Sequence, residues 1–455
     1  MEMVLEFLRD VLSQPALLIG IMSCIGLIAL KRPFHKIMTG TLKPILGYLM
    51  LAAGAGVIVS NLDPLGKMIE HGFHITGVVP NNEAIVAVAQ KVLGVETMSI
   101  LVVGLLMNLF IARFTKFKYV FLTGHHSLFM ACLMSAVLGT AGLSGMELIL
   151  VGGFLMGAWS AISPAIGQSY TSKVTDGDEI AIGHFGSLGY YLSACVAKYV
   201  GKAEDSTEDI EIPEKWGFLR DSTLSTALTM IVFYLIAAFA AGSEFVATLS
   251  GDMSPYLYAV MSAMNFAVGV TIVYSGVRMI LGDLIPAFQG IATKIIPNAI
   301  PAVDCAVFFT YAPTAVVLGF LSSFIGGIIG MLILGAVGGV LIIPGLVPHF
   351  FCGATAGIYG NATGGRRGAA VGAFLNGLAI TFLPALALPV LGQLGFQNTT
   401  FGDADFAVMG LVLGNAYEWV GMAGIYGIVA IAALVLIVPN FIKTKGKVIN
   451  YVEED

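Results

Sequence analysis

Between Ala315 and Ile343 the chain runs 29 residues without one charged side chain. Shorter runs of the same kind recur, among them Ala227–Ala241 and Ala259–Val273. A helix needs about 20 apolar residues to cross the hydrocarbon core of a bilayer. Charged residues make up 11% of the sequence, where a soluble domain carries roughly 25%. The chain therefore reads as an all-α polytopic membrane protein. Its 56 glycines suit that class, because small residues let transmembrane helices approach closely.

Orientation follows from where the cations sit, not from the net charge of -6. Basic clusters occur at Lys31, Arg32, Lys36 and Lys43; at Arg113, Lys116 and Lys118; from Lys173 to Arg220; at Arg278 and Lys294; at Arg366 and Arg367; and at Lys443, Lys445 and Lys447. Placing all of them in the cytoplasm puts every Lys and Arg but Arg9, Lys67 and Lys91 on that side, 19 of 22. Eleven apolar segments then alternate across the membrane: 15–31, 43–60, 93–112, 124–141, 146–168, 224–247, 256–278, 296–314, 315–343, 368–392 and 406–441. The N-terminus lies outside and the C-terminus inside. The outer loops lean acidic, with Glu147, Glu244 and Asp252, and Asp403 with Asp405. The polar, mixed-charge stretch Met1–Gln14 does not read as a cleavable signal peptide.

Three regions resist a simple helical reading. Asn61–Lys91 is too polar for one span. Asp283–Ala302 holds Pro286, Pro297 and Pro301, and so is not one unbroken helix. Pro344–Arg367 is rich in Gly and Pro. Irregular backbone at membrane depth is tolerated where it is buried in protein or lines a cavity. Two of these regions echo each other: Val78-Val79-Pro80-Asn81-Asn82-Glu83 and Ile295-Ile296-Pro297-Asn298, the latter followed by Asp304. The charge topology puts each echo after the second span of its half. Residues 1–170 then form a first repeat half, with spans one to five and broken segment 61–91. Residues 171–223 form a cytoplasmic connection. An inverted second half covers 224–392, with spans six to ten and broken segments 283–302 and 344–367. Residues 393–455 hold the last span and a cytoplasmic tail.

Ionisable residues in such segments are costly and suggest function. Glu83 and Asp304 lead, for hydrogen bonding to a polyhydroxylated substrate or for proton handling. Glu83 could instead sit near the outer interface, and Asp304 could cap a helix beginning after Pro301. Asn81, Asn82 and Asn298 follow the same logic, although Asn also favours helix ends. His125 and His126 follow Thr123-Gly124, and His184 closes Asp178-Glu179-Ile180-Ala181-Ile182-Gly183. A histidine there could titrate or bind a sugar oxygen, or be structural. The acidic stretch Ala203–Glu214 reads as a linker that could also touch a soluble partner.

Other chemistry is poorly supported. The five scattered cysteines suggest neither disulfides nor a metal site. Gly183, Gly186 and Gly189 lack phosphate-loop spacing, and no strand is expected before them, so helix packing is the better account. Nothing suggests nucleic acid binding, and no cofactor is implied.

Seven blocks appear in order: Leu122-Thr123-Gly124-His125, Val174-Thr175-Asp176-Gly177, Ile182-Gly183-His184, Gly276-Val277-Arg278-Met279, Ala302-Val303-Asp304-Cys305-Ala306, Ala312 to Phe320, and Leu341-Ile342-Ile343-Pro344-Gly345. Together they resemble the membrane component, EIIC, of ascorbate-type phosphotransferase-system permeases, over essentially the whole chain. Galactitol-type EIIC proteins are the next most similar. The resemblance implies a multi-pass homodimer in a bacterial cell membrane, each subunit with a scaffold and a mobile substrate-carrying core. L-ascorbate would be phosphorylated on emerging, by a phosphocysteine on a separate EIIB fed from EIIA, HPr and phosphoenolpyruvate. It also implies substrate contacts at His184, Asp304, Asn82, Glu83 and His125. Phe185 and Phe129 depart from the family pattern, each standing where a Gln is expected; Phe185 is kept as a candidate contact. Ascorbate is an anion at neutral pH, so helix N-termini near Pro80 and Pro297 would favour it. Glu83 would then be protonated or directed at hydroxyls. The competing readings are a galactitol or other polyol EIIC and an ion-coupled secondary transporter of the same architecture. A channel or membrane enzyme ranks below both, because no nucleophile–base pair stands out.

Overall fold

A computed structural model describes residues 11, 14–73, 77, 78, 80, 82–210, 222–392 and 400–441. Helices dominate it. In the first half they are α1 Pro15–Ala29, α2 Phe34–Phe73, α3 Asn82–Phe114, α4 Gly124–Thr140, α5 Gly145–Thr175 and α6 Ser187–Val200. There follow α7 Ser222–Ala241, α8 Ser243–Ser250, α9 Pro255–Lys294, α10 Pro313–Ala336, α11 Leu346–Gly392, α12 Ala404–Val420 and α13 Met422–Ile437. Three short strands, β1 Tyr119–Phe121, β2 Ala181–Ile182 and β3 Ile300–Val303, sit among them, with 3-10 turns at Cys305–Thr310 and Val438–Phe441. Seven of the described helices are long and apolar enough to cross a membrane, and the bent pair α7–α8 would make an eighth. Helices α1, α4 and α12 are shorter, at 15, 17 and 17 residues. The chain is an all-α polytopic membrane protein.

The irregular segments are narrower than the sequence suggests. Helix α2 carries Asp63, Lys67 and Glu70 on to Phe73, because an i,i+4 ion pair of 2.8 Å between Lys67 and Asp63 suits a helical surface. Helix α9 continues through Pro286 to Lys294. The chain turns only at Pro297-Asn298, with Asn298 in the left-handed region at φ 61°. Residues 296–314, expected as a span, instead form β3 and the 3-10 turn before α10 begins. Pro297 and Pro301 keep that stretch out of the α conformation. In the Gly-rich region α11 starts at Leu346, and the break shrinks to Gly364-Gly365. Gly365 has φ 59°, a conformation that costs a residue with a Cβ.

Strand β3 lies between the other two, and all pairings are parallel. Val120 faces Pro301, and Ile182 faces Val303. Every strand residue is buried, so pairing supplies the hydrogen bonds that hydrocarbon cannot. A separate parallel bridge joins Val78 to Ile342. The segment after α2 thus pairs with the segment after α10, while the segment after α9 pairs with the segment after α3. Exchanging the two halves turns one pairing into the other.

Helices fall into two packed groups. Helix α2 runs along α9, and α1, α7 and α8 pack on that pair. In the other group α10 lies along α11, α11 along α6, and α3 along α4 and α5. Helices α10 and α11 meet where Gly319 opposes Gly353 and Gly357, close enough that a Cβ on Gly319 would lie 2.5 Å from the Gly353 carbonyl.

The acidic connection is docked, not free. The Glu208 carboxylate accepts the backbone N–H groups of Thr314 and Ala315 at 3.1 Å, capping α10. Asn361 accepts from Thr207 N–H at 2.8 Å, and the Asp205 carbonyl accepts from Arg366 N–H at 2.8 Å, beside the break in α11. Residues 211–214 of the same stretch lie outside the described residues.

Candidate functional site

The C-terminal ends of the three parallel strands deliver the polar residues. Strand β1 leads through Thr123 to His125 and His126 in the first turn of α4. Strand β2 leads to His184, and β3 leads directly to Asp304. Side chains just beyond parallel strand ends project into the crevice there, as in α/β sheets. The strand before Gly183, not anticipated from the sequence, is two residues long and feeds this site. It forms no phosphate loop: Asp405 already fills the α6 N-terminus, accepting Ser187 Oγ at 2.8 Å and Leu188 N–H at 2.9 Å.

A cavity of about 1340 Å³ lies between the two helix groups. Tyr48, Asn82, His125, His126, His184 and Asp304 line it, and Asp403 closes one wall. His125 joins Tyr48 of α2 to Asp304, through contacts of 3.4 Å at each ring nitrogen. Asp304 Oδ1 also accepts Ala306 N–H at 3.1 Å, capping the 3-10 turn. Asp304 thus caps the 3-10 turn and also lines the cavity.

Asp403 and Asp405, expected in an outer loop, are 5% and 0% exposed. Asp403 Oδ2 accepts from Asn82 Nδ2 at 2.6 Å, and Oδ1 accepts from the Cys352 thiol at 2.8 Å. Asn82 Oδ1 in turn accepts Gly402 N–H at 2.9 Å. Asp405 also accepts from Trp159 Nε1 at 3.3 Å, and its own N–H donates to the Phe185 carbonyl at 2.9 Å. The start of α12 therefore ties the α3 N-terminus and the turn carrying His184 to one point. Buried carboxylates survive when they are hydrogen-bonded, and both of these are. The available signal was an acid-x-acid pair at the head of an apolar run, the usual chemistry of a helix first turn.

Other expected residues fall differently. Glu83 lies in the first turn of α3, and its side chain is outside the described residues. Asn81 is also outside them. Pro80 lines the cavity, whereas Pro297 and Asn298 are exposed and do not. The expected helix N-terminus at the second break does not face the cavity either: α10 begins at Pro313 and is capped by Glu208. The helix that takes that place is α11, whose first residues Leu346, Val347 and Pro348 line the cavity. Phe185 is wholly buried, with its ring stacked on Phe121 at 4.6 Å, and is not among the lining residues. Its ring contact expected from the sequence is replaced by a backbone role, an N–H donated to His126 Nδ1 at 3.3 Å. Phe129 does line the cavity.

Two groups of side chains cluster closely enough to suggest a metal: His126, His184 and Asp403, and His184, Asp304 and Cys305. The hydrogen bonding works against both. Nδ1 of His126 accepts Phe185 N–H, and Nδ1 of His184 accepts Gly186 N–H at 3.1 Å, with the Tyr190 hydroxyl 2.8 Å away. Coordination through Nε2 would move the ring proton to Nδ1, against those donors. The same tautomer leaves His184 Nδ1 and Asp403 Oδ1, 3.9 Å apart, as two acceptors and not an ion pair.

A polytopic helical protein with a cavity whose polar residues come from breaks in both halves of the chain has the design of a membrane permease. The chain belongs to the EIIC-GAT family, the sugar-specific permease components of the phosphotransferase system, whose pattern it matches over residues 10–405. It is 28% identical over 417 residues to the ascorbate-specific PTS system EIIC component of Mycoplasma pneumoniae (strain ATCC 29342 / M129 / Subtype 1). That match covers 78% of this chain and 62% of the relative, so the chain spans less than two thirds of the relative's length.

Proposed function

We propose that this permease takes up L-ascorbate and releases it for phosphorylation by a phosphocysteine on a separate EIIB subunit, itself supplied through EIIA. The carrying observation is the convergence of Asn82, His125, His184 and Asp304 on one cavity between two helix groups. These four side chains contact the substrate, with Glu83 near them at the head of α3. The group built on α2 and α9 is the scaffold, and the group built on α10 and α11 is the moving core. The subunit pairs with a second copy, its N-terminus outside and its C-terminus in the cytoplasm, in keeping with the distribution of Lys and Arg. The halves 1–170 and 224–392 act as inverted repeats, a reading supported by the exchanged strand pairings.

No phosphorylated residue is needed on this chain, because the donor sits on the partner. A neutral polyol such as galactitol is the alternative substrate, since Phe129 at the cavity wall departs from the ascorbate pattern and an aromatic ring cannot bond a polar ligand as an amide does. Calorimetric titration of the purified protein with each compound decides between them. Saturable ascorbate binding with galactitol inert is expected; saturable galactitol binding with ascorbate inert overturns the assignment.

A further inference from the structure

Two imidazoles packed together line the cavity, His126 and His184, with ring centroids 3.8 Å apart, ring planes tilted by 46° and both rings buried. The sequence reading puts only His184 in the site. Each Nδ1 receives a backbone N–H, from Phe185 for His126 and from Gly186 for His184. A ring nitrogen that accepts an N–H carries no proton, so each neutral ring holds its proton on Nε2. A proton on Nδ1 of either ring would set two N–H groups against each other. Both histidines are therefore fixed as donors.

The acceptors around them are already engaged. Asp304 receives Ala306 N–H and faces His125, and Asp403 receives Asn82 and the Cys352 thiol. The two imidazoles add donors, which a carboxylate cannot supply.

We infer that His126 and His184 form a tautomer-locked pair of Nε2–H donors for the oxyanion edge of the substrate, which makes His126 a specificity-determining residue. The inference rests on the reading of this cavity as the site of an acidic sugar. An enolate oxygen and its neighbouring carbonyl oxygen present acceptors to both rings. A neutral polyol gains less, because hydrogen bonds to charged acceptors are stronger. The carboxylates do not oppose the anion as bare charges would, since each is turned to its own donors.

Nitrogen-15 NMR of histidine-labelled protein reads the tautomer of each ring without ligand, and His126→Gln assigns one of the signals by its loss. Both rings are expected to carry their proton on Nε2 in the ligand-free protein. A proton on Nδ1 of either ring overturns the inference. Calorimetry with L-ascorbate and galactitol then compares His126→Gln with His126→Asn. Gln places an amide N–H near the position of Nε2, whereas Asn reaches only as far as Nδ1. Ascorbate affinity is expected to stay within about threefold in His126→Gln and to fall about tenfold to a hundredfold in His126→Asn. Equal losses in the two variants, or equal losses for the two ligands, contradict the pair. If the wild type binds no ascorbate, the substrate assignment falls, and the spectra alone decide whether the pair exists.

Discussion

Asp304 carries two duties that one substitution can separate. Asn at this position keeps an oxygen to cap Ala306 N–H and removes the charge facing His125. Asp304→Asn is therefore expected to leave the thermal midpoint nearly unchanged while weakening ascorbate binding about tenfold, as read by calorimetry. Asp405 has the opposite profile, because it touches no lining residue's ring and holds the turn that carries His184. Asp405→Ala leaves Ser187 Oγ, Leu188 N–H and Trp159 Nε1 without their acceptor. A loss of about 1–3 kcal/mol is expected in a denaturant melt, and Asp405→Asn recovers part of it. What the sequence reveals at this scale depends on contrast. His184 and Asp304 stand out as polar residues inside apolar stretches. Asp403 and Asp405 look like the residues of a solvated loop, since nothing local records that Gly402 and Asn82 will bring that loop inward. His126 hides beside His125 because adjacent residues on a helix point different ways, and only the packed structure says which ring meets His184.

At the scale of elements, hydropathy locates most helices, and proline and glycine locate the breaks only approximately. Pro44, Pro64, Pro164 and Pro286 all lie inside continuous helices, because neighbouring groups in a membrane bundle can re-satisfy the freed backbone carbonyls. The strands are illegible for a different reason. Two to four residues give no period to read, and their pairing partners lie far along the chain. The docked connection 201–210 is likewise set by tertiary contacts. Glu208→Ala removes the acceptor for two N–H groups at the head of α10, and a loss of about 1 kcal/mol is expected on melting, with Glu208→Gln intermediate. Gly365→Ala is expected to cost more. It strains a positive φ and drives a Cβ into the Lys202 carbonyl, so the same melt should show a larger drop than for Glu208→Ala.

For the whole molecule, the proposed function has the two helix groups move past one another around the cavity. The Tyr48–His125 contact joins them at the site across 3.4 Å. Tyr48→Phe is expected to change ascorbate affinity by less than about tenfold, because a neutral hydrogen bond contributes about 0.5–1.5 kcal/mol. Its uptake rate in membrane vesicles should change by more than its affinity, and equal changes in both would assign Tyr48 to binding alone. The architecture by itself does not distinguish a group-translocating permease from an ion-coupled one, since buried carboxylates serve either. Uptake of labelled L-ascorbate into vesicles carrying this chain draws that line most directly. Accumulation that requires phosphoenolpyruvate and the soluble partner proteins, and that yields phosphorylated ascorbate inside, is the predicted result. Accumulation of unmodified ascorbate that needs none of them and collapses with an ion gradient would contradict it.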